Sequence, residues 1–535
     1  MDITHFFQRL SWCKPDWAYL SVSKEMKELL EQCVDPSQVQ LSDDVDEVIA
    51  RSKTFPIPFP IPFPIESVRL EQLKNRRPLQ RLKKNIVTTY PLLHERVLQL
   101  MSHFLVYKRE YGSCIEKELY KEMGVLQLID RLLKKRAVAF LGPRDTYMLL
   151  SGDEGCNGWE SVGTRQEQPS LVLANCLSYD EMKLSAMLFV SGPTECINDG
   201  ARQNKGVVNE DDIETNAIII GAIGTCLKRP NRMEGEDVLI TKEQNCAANG
   251  YDEDSTNPCH KMLNALTRVD EMPKRMWRQM WDEFYQTQSH IFEEVSPNVS
   301  SHESSAEQLY TERYVTLTAR KYIFDNEVYY KRISILAESV LLEADARGSE
   351  TGRDAFLNVI GCGLGVWCVS SHQPDVYVLT FLDRALHLLK HKMLQHVSDL
   401  NFAYITVTPS VLEMFTTSDG VGGEAKIFLE SELHPRGGIT VQLCNREPSS
   451  RLTGLHEGKL LVMTYPWDSN AHPGNEFWFG NLTGSGDPAA ACSTQVSELH
   501  NAHVNARLAA RNARVAAPSD AGLRTLIDYC KGLPT

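Results

Sequence analysis

The sequence predicts an α/β protein whose sheet carries helices on both faces. Three observations predict it. From about Glu312 onward, apolar strands alternate with helical segments. Two polar, glycine-rich loops each follow an apolar run and precede a helix: Gly361–Trp367 (GCGLGVW) and Trp467–Asp487 (WDSNAHPGNEFWFGNLTGSGD). Residues 66–140 read instead as mainly helical, and the glycine-rich polar stretch 151–168 separates the two kinds of sequence.

Taken in order, Phe55–Ile65 reads FPIPFPIPFPI. Alternating prolines exclude helix and central strand and favour an extended arm. Phe and Ile fill the intervening positions, so the arm is expected to lie as an apolar strap on its own protein. In Cys114–Leu133, Ile115, Leu119, Met123, Leu126, Ile129 and Leu133 recur at spacings of 3 or 4, as in a helix. Acidic runs at Asn209–Ile213 and Tyr251–Ser255 mark surface loops, and Gln286–Glu307 reads as a Ser- and Glu-rich connection. Tyr314–Phe324 alternates as a strand should. Asp325–Ala346 then reads as a helix, with Asp325 or Asn326 as cap and Gly348 as its stop. Its apolar face is Tyr329, Ile333, Leu336, Val340 and Ala344. Ala355–Ile360 is a buried strand, and Pro374–Met393 an apolar helix with Pro in its first turn. Further strands are predicted at Phe402–Val407, Lys426–Leu429, Ile439–Leu443 and Leu460–Tyr465.

A chain of 535 residues at 42% hydrophobic can bury a large core. Its formal charge of -14 argues against a protein held to nucleic-acid phosphates. The basic runs Lys74–Lys84 and Arg131–Arg136 read as solvated helix faces or ends. Fourteen cysteines include no CxxC pair, so neither a zinc ribbon nor a dithiol redox motif is expected. The N-terminal MDITHFFQRL lacks the layout of a signal peptide, and no uncharged apolar run approaches the ~18 residues of a membrane span. Free thiols in a reducing, cytoplasmic setting follow as the expectation.

Glycines at 361, 363 and 365 would let backbone amides turn inward toward phosphate oxygens, and Trp367 could close such a site by stacking. The spacing is not GxGxxG, so no dinucleotide fingerprint is claimed. The second loop ends in TGSGDP, where Asp487-Pro488 reads as the N-cap and first position of a helix. Asp468, Glu476 and Asp487 lie in one stretch with Trp467 and Trp478. Glycoside cleavage needs a carboxylate to orient or deprotonate water and to stabilise an oxocarbenium-like transition state. Burial against tryptophans would raise a carboxylate pKa toward its working range. The alternative reading makes the three turn, cap and surface residues. Asn470 could bind a ribose hydroxyl or merely shape a turn. Cys362 and His372 read as a buried inert thiol and an unrelated histidine rather than a nucleophile pair. Cys246, Cys259 and His260 lack metal spacing, and neither a metal nor a cofactor is expected.

These residues carry a resemblance. The chain resembles the MavL-type ADP-ribosyl hydrolases, divergent relatives of the poly(ADP-ribose) glycohydrolase macrodomains. The matching pieces are Ser178–Lys205, Tyr329–Gly348 with its Tyr-x-x-Arg start, Ala355–Trp367, and Trp467–Asn501. The resemblance implies a macrodomain-like mixed sheet flanked by helices over 166–535. It leaves 1–165 as an N-terminal, mainly helical region with the proline-rich arm. It implies a hydrolase that removes single ADP-ribose units from a modified protein side chain without a metal. Asp468, Asp487 and Glu476 are the implied catalytic groups. Gly363, Leu364, Gly365, Val366 and Trp367, with Asn470, Gly484, Ser485, Gly486 and Asn204, are the implied ligand-binding set. The phosphate loop precedes the ribose-facing loop, which implies a permuted macrodomain order. The double-glutamate signature of the glycohydrolases is absent, which implies single units rather than chains. Where the family pattern has Gly-Ala-Arg-Phe-Glu, this chain reads Gly224-Thr225-Cys226-Leu227-Lys228, and it retains Arg232-Met233-Glu234. The implied partners are ADP-ribose and an ADP-ribosylated protein, ubiquitin among the candidates, with no nucleic acid and no membrane. The alternatives are a module that binds ADP-ribose without cleaving it and a scaffold.

Overall fold

A computed structural model describes residues 3–34, 41–55, 61–229, 231–251, 272–296, 304–317, 322–415, 425–520 and 522–533. In chain order the strands are β1 (Tyr90–His94), β2 (Ala139–Leu141), β3 (Thr146–Met148), β4 (Glu154–Gly155), β5 (Leu188–Glu195), β6 (Asn216–Ala222), β7 (Leu239–Ile240) and β8 (Tyr314–Leu317). They continue as β9 (Tyr322–Asp325), β10 (Ala355–Ile360), β11 (Val397–Ala403), β12 (Ala425–Glu430), β13 (Gly438–Leu443), β14 (Leu460–Pro466), β15 (Arg514–Ala517) and β16 (Gly522–Thr525). Ten of them form one mixed sheet in the order β12-β13-β11-β10-β14-β6-β5-β1-β15-β16. The others form two three-stranded antiparallel sheets, β2-β3-β4 and β7-β9-β8.

Five neighbours at the centre, β13, β11, β10, β14 and β6, run parallel. Their sequences explain it: AFLNVI and LLVMTYP are nearly continuous apolar runs, buried along their length, as strands covered on both faces must be. The 26-residue helix Asn326–Thr351 crosses β1, β6, β10, β11 and β14 and packs on helix Gln373–Lys390. Helix Gly486–Ser493 packs against β14 and helix Leu79–Val87 against β5.

Connectivity places the site. β10 and β14 are adjacent and parallel, with Ala355 opposite Leu460 and Asn358 opposite Met463. From β10 the chain crosses to β11 on one side, whereas from β14 it travels to β15 on the other. The loops at their carboxyl ends therefore diverge and leave a crevice, the switch point where α/β sheets bind ligands.

Several expectations need correction. Tyr314–Phe324 is not one strand but the hairpin β8–β9, with Tyr314 opposite Asp325 and Leu317 opposite Tyr322. Alternation continues across a turn, so periodicity alone does not reveal it; residues 318–321 lie outside the described residues. Gly348 does not end its helix. Gly352 does, at φ 63°, with its N–H bonded to Gly348 O. Gly348 sits where a Cβ would stand 2.8 Å from His396 Cβ, so it serves close packing. Asp325 is the cap, accepting from Glu327 N and Val328 N. The segment Cys114–Leu133 is two helices, Cys114–Tyr120 and Val125–Lys134, the second starting from Gly124. The strand predicted at Phe402–Val407 lies earlier, at Val397–Ala403. Its Ser398, Asp399 and Asn401 are buried with partners, so it did not read as apolar. The stretch read as helical, 66–140, also contributes β1 to the main sheet, between β5 and β15.

The proline arm packs on its own protein at the described positions Phe55, Ile61 and Phe63, all buried; residues 56–60 lie outside the described residues. Phe55 and Phe63 hold their rings 5.3 and 5.0 Å from Trp478. The acidic run at Tyr251–Ser255 falls outside the described residues beyond Tyr251, as do Cys259 and His260. Among the described residues no helix is long and apolar enough to cross a membrane.

Candidate active site

The two glycine loops meet. Gly361, Leu364 and Gly365 wall one side of a cleft of about 440 Å³, and Pro466 and Gly486 wall the other. Ile219, Ile360 and Met463 form an apolar floor. Gly486 comes so close to the end of β14 that a Cβ there would stand 2.7 Å from Pro466 Cγ. A third loop, following β6, locks against the first. A Cβ on Gly224 would stand 2.2 Å from the carbonyl carbon of Cys362. Gly363 is spent on that contact, since a Cβ there would lie 2.9 Å from Thr225 N. Val366 is exposed, and Trp367 is half-buried against the core. Cys362 is buried, which pushes its thiol up to about 12. His372 bonds Asn326 and Ser370 instead, so the inert-thiol reading holds.

The acidic groups converge on one turn. Asp487 Oδ1 accepts from Gly474 N at 2.7 Å. Asp468 Oδ2 accepts from Asn475 Nδ2. Glu476 completes the trio and accepts from Ser485 Oγ at 3.2 Å. Three consecutive residues, Gly474–Glu476, thus gather the three carboxylates. The turn adjoins the cleft through Gly486, which lines it and precedes Asp487; the three carboxylates themselves are not among the lining residues. Asp487 is not the helix cap: the helix opens at Gly486, Ser485 stands before it, and Asp487 lies buried in the first turn. A cap faces outward to the first amides, whereas this carboxylate turns away to Gly474. Gly484 packs beside Asn481, where a Cβ would lie 2.7 Å from Nδ2.

Burial raises all three carboxylates. Asp468 is pushed up to about 7, first by desolvation and then by the charge of Glu476, with the Asn475 amide pulling the other way. Asp487 is driven well above the ordinary carboxylate range by burial and by the charge of Asp468. Burial raises Glu476, opposed by Ser485 and by the Arg202 charge. Both aspartates are thus pushed toward their neutral forms, by burial first and by a neighbouring carboxylate next. Asp487 Oδ2 and Asn470 Oδ1 are buried without a hydrogen-bond partner among the described residues. Asn204 does otherwise: its amide donates to Asp199 Oδ1 at 2.6 Å, and its neighbours Arg202 and Gln203 line the cleft.

Sequence reasoning missed several residues. The sequence singles out Asn470 in this loop, but not Asn475. The segment Ala137–Phe140 runs beside the loop, Ala137 N donating to Asn470 O and His472 N to Ala137 O. Arg136 is not on a solvated face. It is buried with its guanidinium 3.9 Å from the Trp467 ring centre, near enough to Asp487 for the charges to interact. Arg131, from the same basic run, is buried against Glu181 at 2.5 Å. Glu234, of the retained Arg232-Met233-Glu234, and Arg332, of the Tyr-x-x-Arg motif, pair with each other at 3.2 Å, and Glu234 also accepts from Cys226 N. An arginine inside an apolar helix, as Arg332 is, was the available signal for such a buried pair. Among the described residues no group of three or more His, Cys, Asp or Glu side chains is placed to hold a metal ion.

A switch-point cleft walled by two glycine loops, with an acidic turn beside it, is where α/β sheets bind ligands. The model of the family described as ADP-ribosylhydrolase MavL-like matches residues 46–532, and the chain belongs to that family. It is similar to two proteins of Drosophila melanogaster. One, ADP-ribosylarginine hydrolase CG3568, is 36% identical over 480 residues, 89% of this chain and 86% of the relative. The other, ADP-ribosylarginine hydrolase CG2909, is 35% identical over 489 residues, 90% of this chain and 88% of the relative. The chain is an ADP-ribosyl hydrolase.

Proposed function

We propose that this enzyme removes single ADP-ribose units from arginine side chains of proteins, using its own carboxylates and no metal, on a permuted macrodomain-like sheet. The observation that carries the reading is that Gly365 and Gly486 line one cleft with the acidic turn beside it. The names of the two fly relatives supply the bond, an N-glycosidic link from ribose to a guanidine nitrogen. The free thiols among the described residues support a cytoplasmic setting.

In this reading, amides of the Gly361–Gly365 loop and of Gly486 hold the diphosphate, and the apolar floor takes the adenosine. Asn470 takes a ribose hydroxyl on its unpaired oxygen. Neutral Asp487 gives its proton to the leaving guanidine nitrogen as the C–N bond breaks and that nitrogen keeps the electron pair. Ionised Asp468 takes a proton from the water whose oxygen bonds to the anomeric carbon. Glu476 stabilises the oxocarbenium-like charge. The protein leaves with its arginine side chain restored, free ADP-ribose is released, and solvent returns the proton from Asp468 to Asp487. The carboxylates supply every proton transfer, so no Lewis acid is required.

The test is release of ADP-ribose from a protein modified on arginine, with and without EDTA, for wild type and Asp468→Ala. Turnover is expected to survive EDTA. The variant is expected to keep its melting shift with ADP-ribose while losing about 10²–10⁴-fold in kcat, the usual scale of acid–base catalysis. Unchanged turnover in Asp468→Ala would overturn the assignment.

A further inference from the structure

Asn475 is buried, with its backbone at φ 33°, in the left-handed region that asparagine tolerates better than most residues. Its side chain clamps one residue of the N-terminal segment. Nδ2 donates to Phe140 O at 3.0 Å, and Oδ1 accepts from Phe140 N at 2.8 Å. The second Nδ2 hydrogen goes to Asp468. A carboxamide has two donor hydrogens and one acceptor oxygen, and here each is engaged. Asp would lose both donors, and Gln would displace them by a methylene.

Phe140 is itself well anchored. It lies on β2, pairs with Tyr147 of β3, and sets its ring 5.0 Å from Trp159. Two residues upstream, Val138 N donates to Met148 O at 2.8 Å. Ala137 forms a parallel bridge with Ala471. The β2–β3 hairpin is thus stitched to both ends of the 470–475 stretch.

We propose that Asn475 is a positioning residue for the hydrolysis, transmitting the rigidity of the β2–β3 hairpin to the Asp468 carboxylate and fixing which oxygen meets the water. This rests on the reading of Asp468 as the group that activates water. Around Asp468 stand Glu476 and Asp487 from its own loop and the following helix, and the Cys226 thiol from the loop after β6. Burial and the Glu476 charge disfavour a charge on Asp468, and the Asn475 amide favours it. Without the amide, Asp468 would hold its proton to higher pH and lose its fixed rotamer.

Asn475→Ala and Asn475→Asp are compared with Asp468→Asn on the arginine-modified substrate, after circular dichroism and a thermal melt establish folding. Both Asn475 variants are expected to lose about tenfold or more in kcat with KM within about twofold. They keep the ADP-ribose melting shift. The acidic limb of the kcat–pH profile moves to higher pH by about one unit in Asn475→Ala, and further in Asn475→Asp, which adds a like charge. Wild-type kcat and an unmoved acidic limb in either folded variant would overturn the proposal. Failure of both variants to fold would also overturn it, because the clamp would then serve the fold at large. If Asp468→Asn kept full turnover, the reading of Asp468 would fall, and the proposal with it; that result is separate from the other two.

Discussion

Asp487 has an ordinary carboxylate in the unfolded chain and a strongly perturbed one in the folded protein. Burial and the Asp468 charge raise its folded pKa, so the native state holds a proton that the unfolded state has released above about pH 3.9. Where the native state binds more protons, stability falls as pH rises, here from the unfolded pKa up through the folded one. The stabilising share is fully present only below the unfolded value. Asp487→Asn keeps the oxygen that accepts from Gly474 N and removes the titration. The variant is expected to be inactive, yet to melt above wild type, by a wider margin at pH 8 than at pH 5. Equal margins at the two pH values would show that Asp487 is not held neutral. An acid kept uncharged at a cost in stability fits a site built for proton transfer, since active sites concentrate such strain.

The elements meet through glycines at their ends. Helix Gly486–Ser493 starts against Pro466 because position 486 has no side chain. Gly486→Ala puts a methyl into the proline ring, and overpacking of this kind costs about 1–3 kcal/mol. Relief requires the helix start to move off β14, which deforms the cleft wall. Titration calorimetry with ADP-ribose is expected to give an affinity at least about tenfold weaker, roughly 1.4 kcal/mol. An unchanged Kd would show that the helix start does not shape the site. Gly224 plays the same part between the loops after β6 and β10. Neither role was legible in the chain. The sequence marks these glycines as turn formers, and only the packed structure shows which neighbour each one admits.

At the scale of the whole molecule, the N-terminal segment shares one apolar core with the sheet, from Phe6 to Cys530. Phe55 and Phe63 brace Trp478, two residues beyond the acidic Glu476. Trp478 in turn donates to Pro473 O at 2.9 Å, inside the same loop. Phe63→Ala removes a buried ring, a change that costs about 3–5 kcal/mol in a well-packed site. Denaturant unfolding is expected to show a loss of that order, with kcat falling as well because the braced loop carries the carboxylates. A stability loss with kcat untouched would separate the strap from the site.

Much of this was written in local pattern. Continuous apolar runs forecast the parallel strands β10 and β14 within a residue or so, and glycine clusters after them forecast both loops of the cleft. Three carboxylates beside two tryptophans marked the acidic turn. The failures share a cause. β11 hid behind buried polar residues whose partners lie on other strands, and the β8–β9 turn hid inside an unbroken alternation. Arg136, Asn475 and Phe140 acquire meaning only from neighbours tens to hundreds of residues away.

By itself, then, the sequence determined the α/β alternation, the two glycine loops and the identity of the acidic groups, because each depends on residues close in the chain. Tertiary structure alone decided that β10 and β14 are neighbours, that their loops wall one cleft, and that burial raises the carboxylates beside it. Strand order and burial are non-local quantities: crossover connections set the first, and the second depends on every segment that excludes water from the same carboxylate.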